Sequence, residues 1–185
     1  MAEIEDAIER ADREAFTRQP PKTLKGQIGY LIKQLGTTRA VAEEIGVSQR
    51  SVERYRKGER KHPPKAIAER IDAAVRQRWQ PQVRRRRQQQ AAATGGITVE
   101  TRARFGYTAP VGTTDDGRFR RLTVHLPPTY AQRLFDARNT GASDQQMRQI
   151  IAEGFKEIYF QDGGARATGL SDVTLNDIDY LDLDY

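Results

Sequence analysis

The segment at residues 37–58, TTRAVAEEIGVSQRSVERYRKG, constrains the fold more than any other part of the chain. Its apolar positions fit two short helices only if the backbone turns sharply between them. Ala42 is small where two helices cross closely, and Gly46, four residues on, can take the positive φ that a tight turn requires. Val47 and Val52 then point inward, and Ser48 is placed to cap the second helix by accepting from its unpaired backbone N–H groups. Gln49, Arg50, Ser51, Arg54, Arg56 and Lys57 remain outside, while Tyr55 suits either side. The pattern is a helix-turn-helix with a cationic second helix.

In a docked motif of this kind the start of the second helix meets base edges in the major groove, and residues further along reach phosphates. Gln49 and Arg50 are therefore the base-reading candidates, flanked by Ser48 and Ser51. Arg54, Arg56 and Lys57 are the phosphate candidates. The plainer alternative is a helical hairpin whose charged face is merely solvated.

Charge distribution favours nucleic acid. The chain has 185 residues and a net charge of +6. Residues 1–95 hold 21 Lys or Arg against 12 Asp or Glu, whereas residues 96–185 hold 10 against 13. A cationic half attracts polyphosphate, and an acidic half suits a protein partner, a second copy included. The absence of cysteine excludes disulfides, Cys-zinc sites and thiol catalysis. No apolar run approaches the roughly 20 residues of a membrane span, and MAEIEDAIER is no secretory signal. The expectation is a cytoplasmic, nucleoid-associated protein with no membrane partner.

Periodicity predicts an α+β protein in two parts. Ile4, Ala7, Ile8 and Ala11 mark a first amphipathic helix, ended by Pro20 and Pro21. Leu24, Ile28, Leu31, Ile32 and Leu35 mark a second, ended by Gly36. Beyond the helix-turn-helix, Pro63 and Pro64 open a helix carrying Ile67, Ile71, Ala74, Val75 and Trp79. These helices predict one all-α DNA-binding domain over residues 1–81. An arginine-rich linker follows over 82–96, in which Arg84, Arg85, Arg86 and Arg87 are solvated or bound to phosphates.

Residues 97–185 predict a small α+β domain. Ile97, Val99, Thr101, Phe105 and Tyr107, then Leu122, Val124 and Leu126, suggest two strands around a loop at 108–117. Tyr130, Leu134 and Phe135 mark a helix. Ser143 with Gln146 resembles a capping box ahead of Met147, Ile150, Ile151, Phe155, Ile158 and Tyr159. The tail LSDVTLNDIDYLDLDY reads as an edge strand or an acidic docking segment.

The 108–117 loop holds the residues with the most chemistry. Thr113 and Thr114 precede Asp115 and Asp116, and Arg118, Arg120 and Arg121 follow. A structural turn explains much of this composition. The functional alternative is a displayed hydroxyl nucleophile, positioned by a carboxylate, with the arginines steadying phosphate oxygens. His62 and His125 lack an evident catalytic partner in sequence.

The segments AVAEEIGVSQRSVERY, RWQP, GITVETRARFGYTAP, TTDDGRFRRLTVHLPP, EIYFQDGG and IDYLDL, in this order, resemble the telomere terminal proteins (Tpg) of linear Streptomyces-type chromosomes and plasmids. The resemblance spans nearly the whole chain and implies protein priming. In that family a DNA polymerase links the first deoxynucleotide to a threonine hydroxyl, and the protein stays covalently attached to the DNA 5′ end. A telomere-associated partner protein recruits it to the single-stranded overhang. The matching places the priming hydroxyl at Thr114, with Thr113 as the neighbouring alternative and Asp115 and Asp116 beside it. The resemblance implies no intrinsic cofactor; Mg2+ and dNTP come with the polymerase, and the chain is the nucleotidylated primer rather than an independent catalyst.

Among competing hydroxyls, Tyr107, Tyr130 and Tyr159 fall on apolar faces, while Tyr180 and Tyr185 read as freer and without nearby cations. Two other functions keep the helix-turn-helix. One is a non-covalent regulator or partition protein; the other is a relaxase-like nuclease attacking intact DNA through Tyr or Thr.

Overall fold

The computed structural model describes residues 3–108, 114–165, 167 and 169–185, with the backbone alone at 107, 108 and 114–117. The described residues form eight α-helices and one three-stranded antiparallel sheet, an α+β architecture. They divide into two compact units, Phe16–Gln82 and Met1–Ala15 with Val83–Tyr185. The elements in chain order are α1 (Glu3–Glu14), α2 (Leu24–Leu35), α3 (Thr38–Ile45), α4 (Gln49–Lys57), α5 (Lys65–Arg78), α6 (Pro81–Gln90), β1 (Ile97–Thr108), β2 (Thr114–Leu126), α7 (Pro128–Asn139), α8 (Asp144–Phe155) and β3 (Asp172–Asp184).

The helical unit is built from α2 to α5. Thr23 starts α2 by accepting from the Gly26 amide at 3.2 Å, and Thr37 starts α3 by accepting from Ala40 at 3.1 Å. The apolar stripes then meet in one core of Ile28, Leu31, Val41, Ala42, Ile45, Val52, Tyr55, Ile71, Ala74 and Val75. Each large aliphatic buried there contributes about 1.5–3 kcal/mol relative to exposure. At the end of α5, Trp79 lies 4.8 Å from Tyr30, ring centre to ring centre, and its indole N–H donates to the Arg18 carbonyl.

The mixed unit is a sheet of order β2-β1-β3 with helices on one face. Strand alternation directs Ile97, Val99, Ala103, Phe105, Leu122, Val124, Leu126, Leu181 and Leu183 into the core. Tyr130, Leu134 and Phe135 of α7 and Met147, Ile151 and Phe155 of α8 belong to the same core. The expected Ser143 capping box is present, its hydroxyl accepting from the Gln146 amide while the Gln146 side chain accepts from the Ser143 amide. A Cβ on Gly154 would come within 2.8 Å of both terminal carbons of Leu126, so a larger residue there would push the Leu126 side chain aside where α8 meets β2.

Three expectations are corrected. Sequence periodicity places α1 with the helical domain over 1–81; instead Ile4, Ala7, Ile8 and Ala11 join the core of the mixed unit. An apolar stripe does not name its partner face, and here the flanking charges do. Arg148 of α8 donates to Glu3 at 2.6 Å, Arg138 of α7 donates to Glu5 at 2.7 Å, and Asp144 accepts from the Ile4 amide at 2.8 Å. The expected linker over 82–96 is instead largely helix, since Pro81, rather than only stopping α5, opens α6. The loop expected at 108–117 is shorter, because β1 runs to Thr108 and pairs it with Thr114 at the start of β2. Of the two readings of the tail, the edge strand is the one observed: β3 pairs along β1.

Asp12, in the last turn of α1, is completely buried. It accepts from Tyr185 at 2.7 Å, from Gln88 at 3.2 Å through both oxygens and from Arg138 at 3.3 Å, with Arg84 at 3.9 Å. Burial opposes the charge on Arg138, but its hydrogen bonds to Glu5 and the fields of Glu5 and Asp12 raise its pKa. Removing one partner of such a set strands the others. Asp12→Ala should cost about 3–5 kcal/mol in urea unfolding, against less than about 0.5 kcal/mol for Arg39→Ala, whose ion pair with Glu43 is solvent-exposed. Equal, small effects would mean that the buried network is dispensable.

Candidate nucleic-acid interface

The most cationic surface lies on the helical unit, where Phe16–Gln82 carries 15 Lys or Arg against six Asp or Glu. Gly46 ends α3 in the left-handed region at φ 66°, and the chain re-enters a helix at Gln49 after Ser48 caps it by accepting from the Ser51 amide. Val52 and Tyr55 are buried by this turn, so Tyr55 is a core residue and its opposite face is free for polar groups. Ser48, Gln49, Arg50, Arg54, Arg56 and Lys57 are exposed, and Ser51 is half-buried. Arg50, Arg54 and Lys57 line one shallow surface cleft with Glu53 and Glu59.

The side chains divide this surface between structure and display. Ser48 and Ser51 are engaged with each other, their hydroxyls 2.9 Å apart. Gln49 donates to Thr38 of α3 at 3.0 Å and to Glu53, a turn along α4, at 3.3 Å. Arg54 and Lys57 share Glu59 at 3.8 and 3.9 Å, contacts too long and exposed to hold either cation back from a phosphate.

The arginine run is split by helical geometry. On α6, Arg84 is buried beside Asp12, and Arg87 lies 3.6 Å from Asp184 and over the Tyr185 ring. Arg85 and Arg86 are exposed. The expectation of four guanidinium groups equally open to phosphate is thus corrected, since consecutive helical residues point about 100° apart and cannot share one face.

The TTDD segment lies at the end of the β1–β2 hairpin. Thr113 lies outside the described residues; the backbone of Thr114, Asp115 and Asp116 begins β2, with Thr114 opposite Thr108 and Asp115 opposite Tyr107. Strand alternation separates the three arginines that follow. Arg118 and Arg120 share the side of β2 that buries Leu122, Val124 and Leu126, and Arg120 is half-buried near Phe160. Arg121 points the other way, donating to Glu100 at 2.7 Å. The three do not converge on one phosphate site.

The tyrosines differ from expectation. Tyr185 and Tyr180 do not stand free of cations: Tyr185 donates to Asp12 and sits beside Arg87 and Arg138, and Tyr180 donates to Glu100 next to Arg121. Burial, then Asp12, pushes the Tyr185 phenol up; burial, then Glu100, does the same to Tyr180. Tyr130 is raised to about 12 by burial and its hydrogen bond to Glu157. Each of these hydroxyls donates to a carboxylate within the mixed unit. His62 is exposed, and His125 shares a hydrogen bond with Thr98 at 3.1 Å.

Sequence reasoning passed over Arg102, Arg104 and Phe119. Alternation held the signal: counting back from inward-facing Leu122 puts Phe119 on the solvent side, a place where phenylalanine is unusual. No family model, curated protein or solved structure matches this chain. Among the described residues, no helix is long and apolar enough to cross a membrane, and no group of three His, Asp or Glu is arranged to hold a metal ion.

The split of the arginine run has a direct consequence. Arg84→Ala should lower unfolding free energy by about 3 kcal/mol, as for a broken buried pair, while Arg85→Ala with Arg86→Ala should change it by less than about 0.5 kcal/mol. Indistinguishable denaturation midpoints would contradict the assignment of Arg84 to the core.

Proposed function

We propose that this chain is a DNA-end protein primer of the telomere terminal protein kind, holding DNA through a helix-turn-helix formed by α3 and α4 and presenting the Thr114 hydroxyl for nucleotide attachment. The single observation that carries DNA binding is α4 itself, with Val52 and Tyr55 buried and Gln49, Arg50, Arg54, Arg56 and Lys57 exposed on a unit of net charge +9. Such a helix can enter the major groove with its start at the bases and its later cations at phosphates. The resemblance of the TTDD segment and its neighbours to the terminal proteins supports priming over a purely regulatory role.

In the proposed step the Thr114 oxygen attacks the α-phosphorus of an incoming dNTP. An oxygen–phosphorus bond forms, the bond to pyrophosphate breaks, and the hydroxyl proton passes to solvent base. The polymerase supplies Mg2+ and the dNTP site. The chain supplies the hydroxyl, with Asp115 and Asp116 beside it, and remains on the DNA 5′ end. The telomere-associated partner brings the chain to its template, and the nucleoid is where it acts.

Two measurements test this reading. With α-phosphate-labelled dNTP, polymerase, partner protein and telomeric template, label should appear on the wild-type chain, be lost in Thr114→Ala, persist in Tyr180→Phe, and be released by alkali as expected for a threonine phosphodiester. Alkali-stable label, or label retained in Thr114→Ala, would refute the assignment. In duplex-binding titrations, Gln49→Ala and Arg50→Ala should each reduce preference for the specific site by about 1–3 kcal/mol. An equal loss on random DNA would count against base reading.

A further inference from the structure

We propose that the solvent-facing side of the sheet is a stacking platform for single-stranded nucleic acid, centred on Phe119. It extends the function above to a second surface and rests on the mixed unit alone. Phe119 is the large apolar side chain left exposed among the described residues, at 45%. The same strand buries Leu122, Val124 and Leu126, so strand alternation has turned a phenylalanine outward where a polar residue would serve folding better.

The ring is part of a built surface. Arg104 stands directly across the β1–β2 ladder from Phe119, with its guanidinium carbon 5.2 Å from the ring centre, and that of Arg102 is 5.8 Å away. The two guanidiniums are anchored from β3, where a register shift between Arg102 and Arg104 loops out extra residues. Asp179 of this bulge holds Arg102 at 2.9 Å and Asp177 holds Arg104 at 3.3 Å. Arg121 is held in turn by Glu100, whose carboxyl pKa is lowered by the Arg121 hydrogen bond and then by that of Tyr180.

These ion pairs orient the arginines without using them up. A guanidinium has five N–H donors, and the side chains of Arg102, Arg104 and Arg121 remain 56%, 48% and 72% exposed. A flat aromatic ring beside oriented guanidiniums on an open antiparallel sheet matches what an unpaired nucleotide offers, a base face to stack and a phosphate to bind. Duplex DNA hides its base faces and cannot use the ring. The charge layout sets the path. Cations stand over β1 and β2 while β3 carries Asp177, Asp179 and Asp182, so phosphates are drawn to the β1–β2 side and repelled from the β3 edge.

The test uses the full-length chain and fluorescence anisotropy with two probes, labelled oligothymidylate and a labelled duplex. Phe119→Ala should weaken oligothymidylate binding on the order of tenfold, the loss of one stacked base, and shift duplex binding by less than about twofold. Phe119→Tyr should retain oligothymidylate binding to within about threefold of wild type. Arg50→Ala should do the reverse of Phe119→Ala when the duplex carries the specific site, which separates failure of this surface from failure of the helix-turn-helix reading. Unchanged oligothymidylate affinity in Phe119→Ala, equal losses on both probes, failure of Phe119→Tyr to retain binding, or no oligothymidylate binding by the wild type would overturn the proposal. So would a Phe119→Ala variant whose sole change is weaker self-association or weaker binding to an acidic protein.

Discussion

The mixed unit depends on one buried carboxylate. Asp12 sits in the last turn of α1 at zero exposure and gathers Gln88 and Arg84 from α6, Arg138 from α7 and Tyr185 from the end of the chain. A charge in that position is tolerated only because hydrogen-bond donors and cations surround it. The consequence is topological. Residues nearly the full length of the chain apart must be in place together, so the first helix and the last residue become parts of one fold. Apolar burial supplies the larger share of stability there, through Ile4, Ile8, Phe135 and Ile151. The polar cluster ties α1, α6, α7 and the last residue to that core through contacts distant in sequence.

The same logic of paired charges shapes the surfaces. On the helical unit, α4 presents Arg50, Arg54 and Lys57 with carboxylates close enough to orient but too exposed to neutralise them. On the sheet, Asp177 and Asp179 pair with Arg104 and Arg102 beside the Phe119 ring, and Glu100 pairs with Arg121. The β1–β2 hairpin connects that array to Thr114, where β2 begins.

Much of this was legible in residue order, and the rest failed for identifiable reasons. Ser48, Gly46, Val52 and the Ser143 capping box were readable because capping and turning are local: the partners lie within a few residues. The stripe of α1 was readable as a helix but not as a member of the mixed unit, since Glu3 and Glu5 find Arg148 and Arg138 far along the chain. The arginine run looked uniform, and the placement of Asp12 divided it into a buried Arg84 and exposed Arg85 and Arg86. Tyr185 looked free because the cations beside it, Arg87 and Arg138, are distant in sequence. Phe119 was hidden by its neighbours, whose charge drew attention to a loop rather than to a strand face.

By itself the sequence determined the caps of α3, α4 and α8, which strand positions face inward, the sharp turn before α4 and the concentration of positive charge around it. Each of these follows from interactions spanning a few residues or from composition, which no tertiary arrangement can alter. Tertiary structure alone decided that α1 belongs with the sheet, that Arg84 is structural while Arg85 and Arg86 are displayed, that Tyr180 and Tyr185 are committed to carboxylates, and that Phe119 stands among oriented guanidiniums. Those outcomes depend on side chains brought together from opposite ends of the chain, where burial removes the water that would otherwise satisfy a charge and so requires a particular partner.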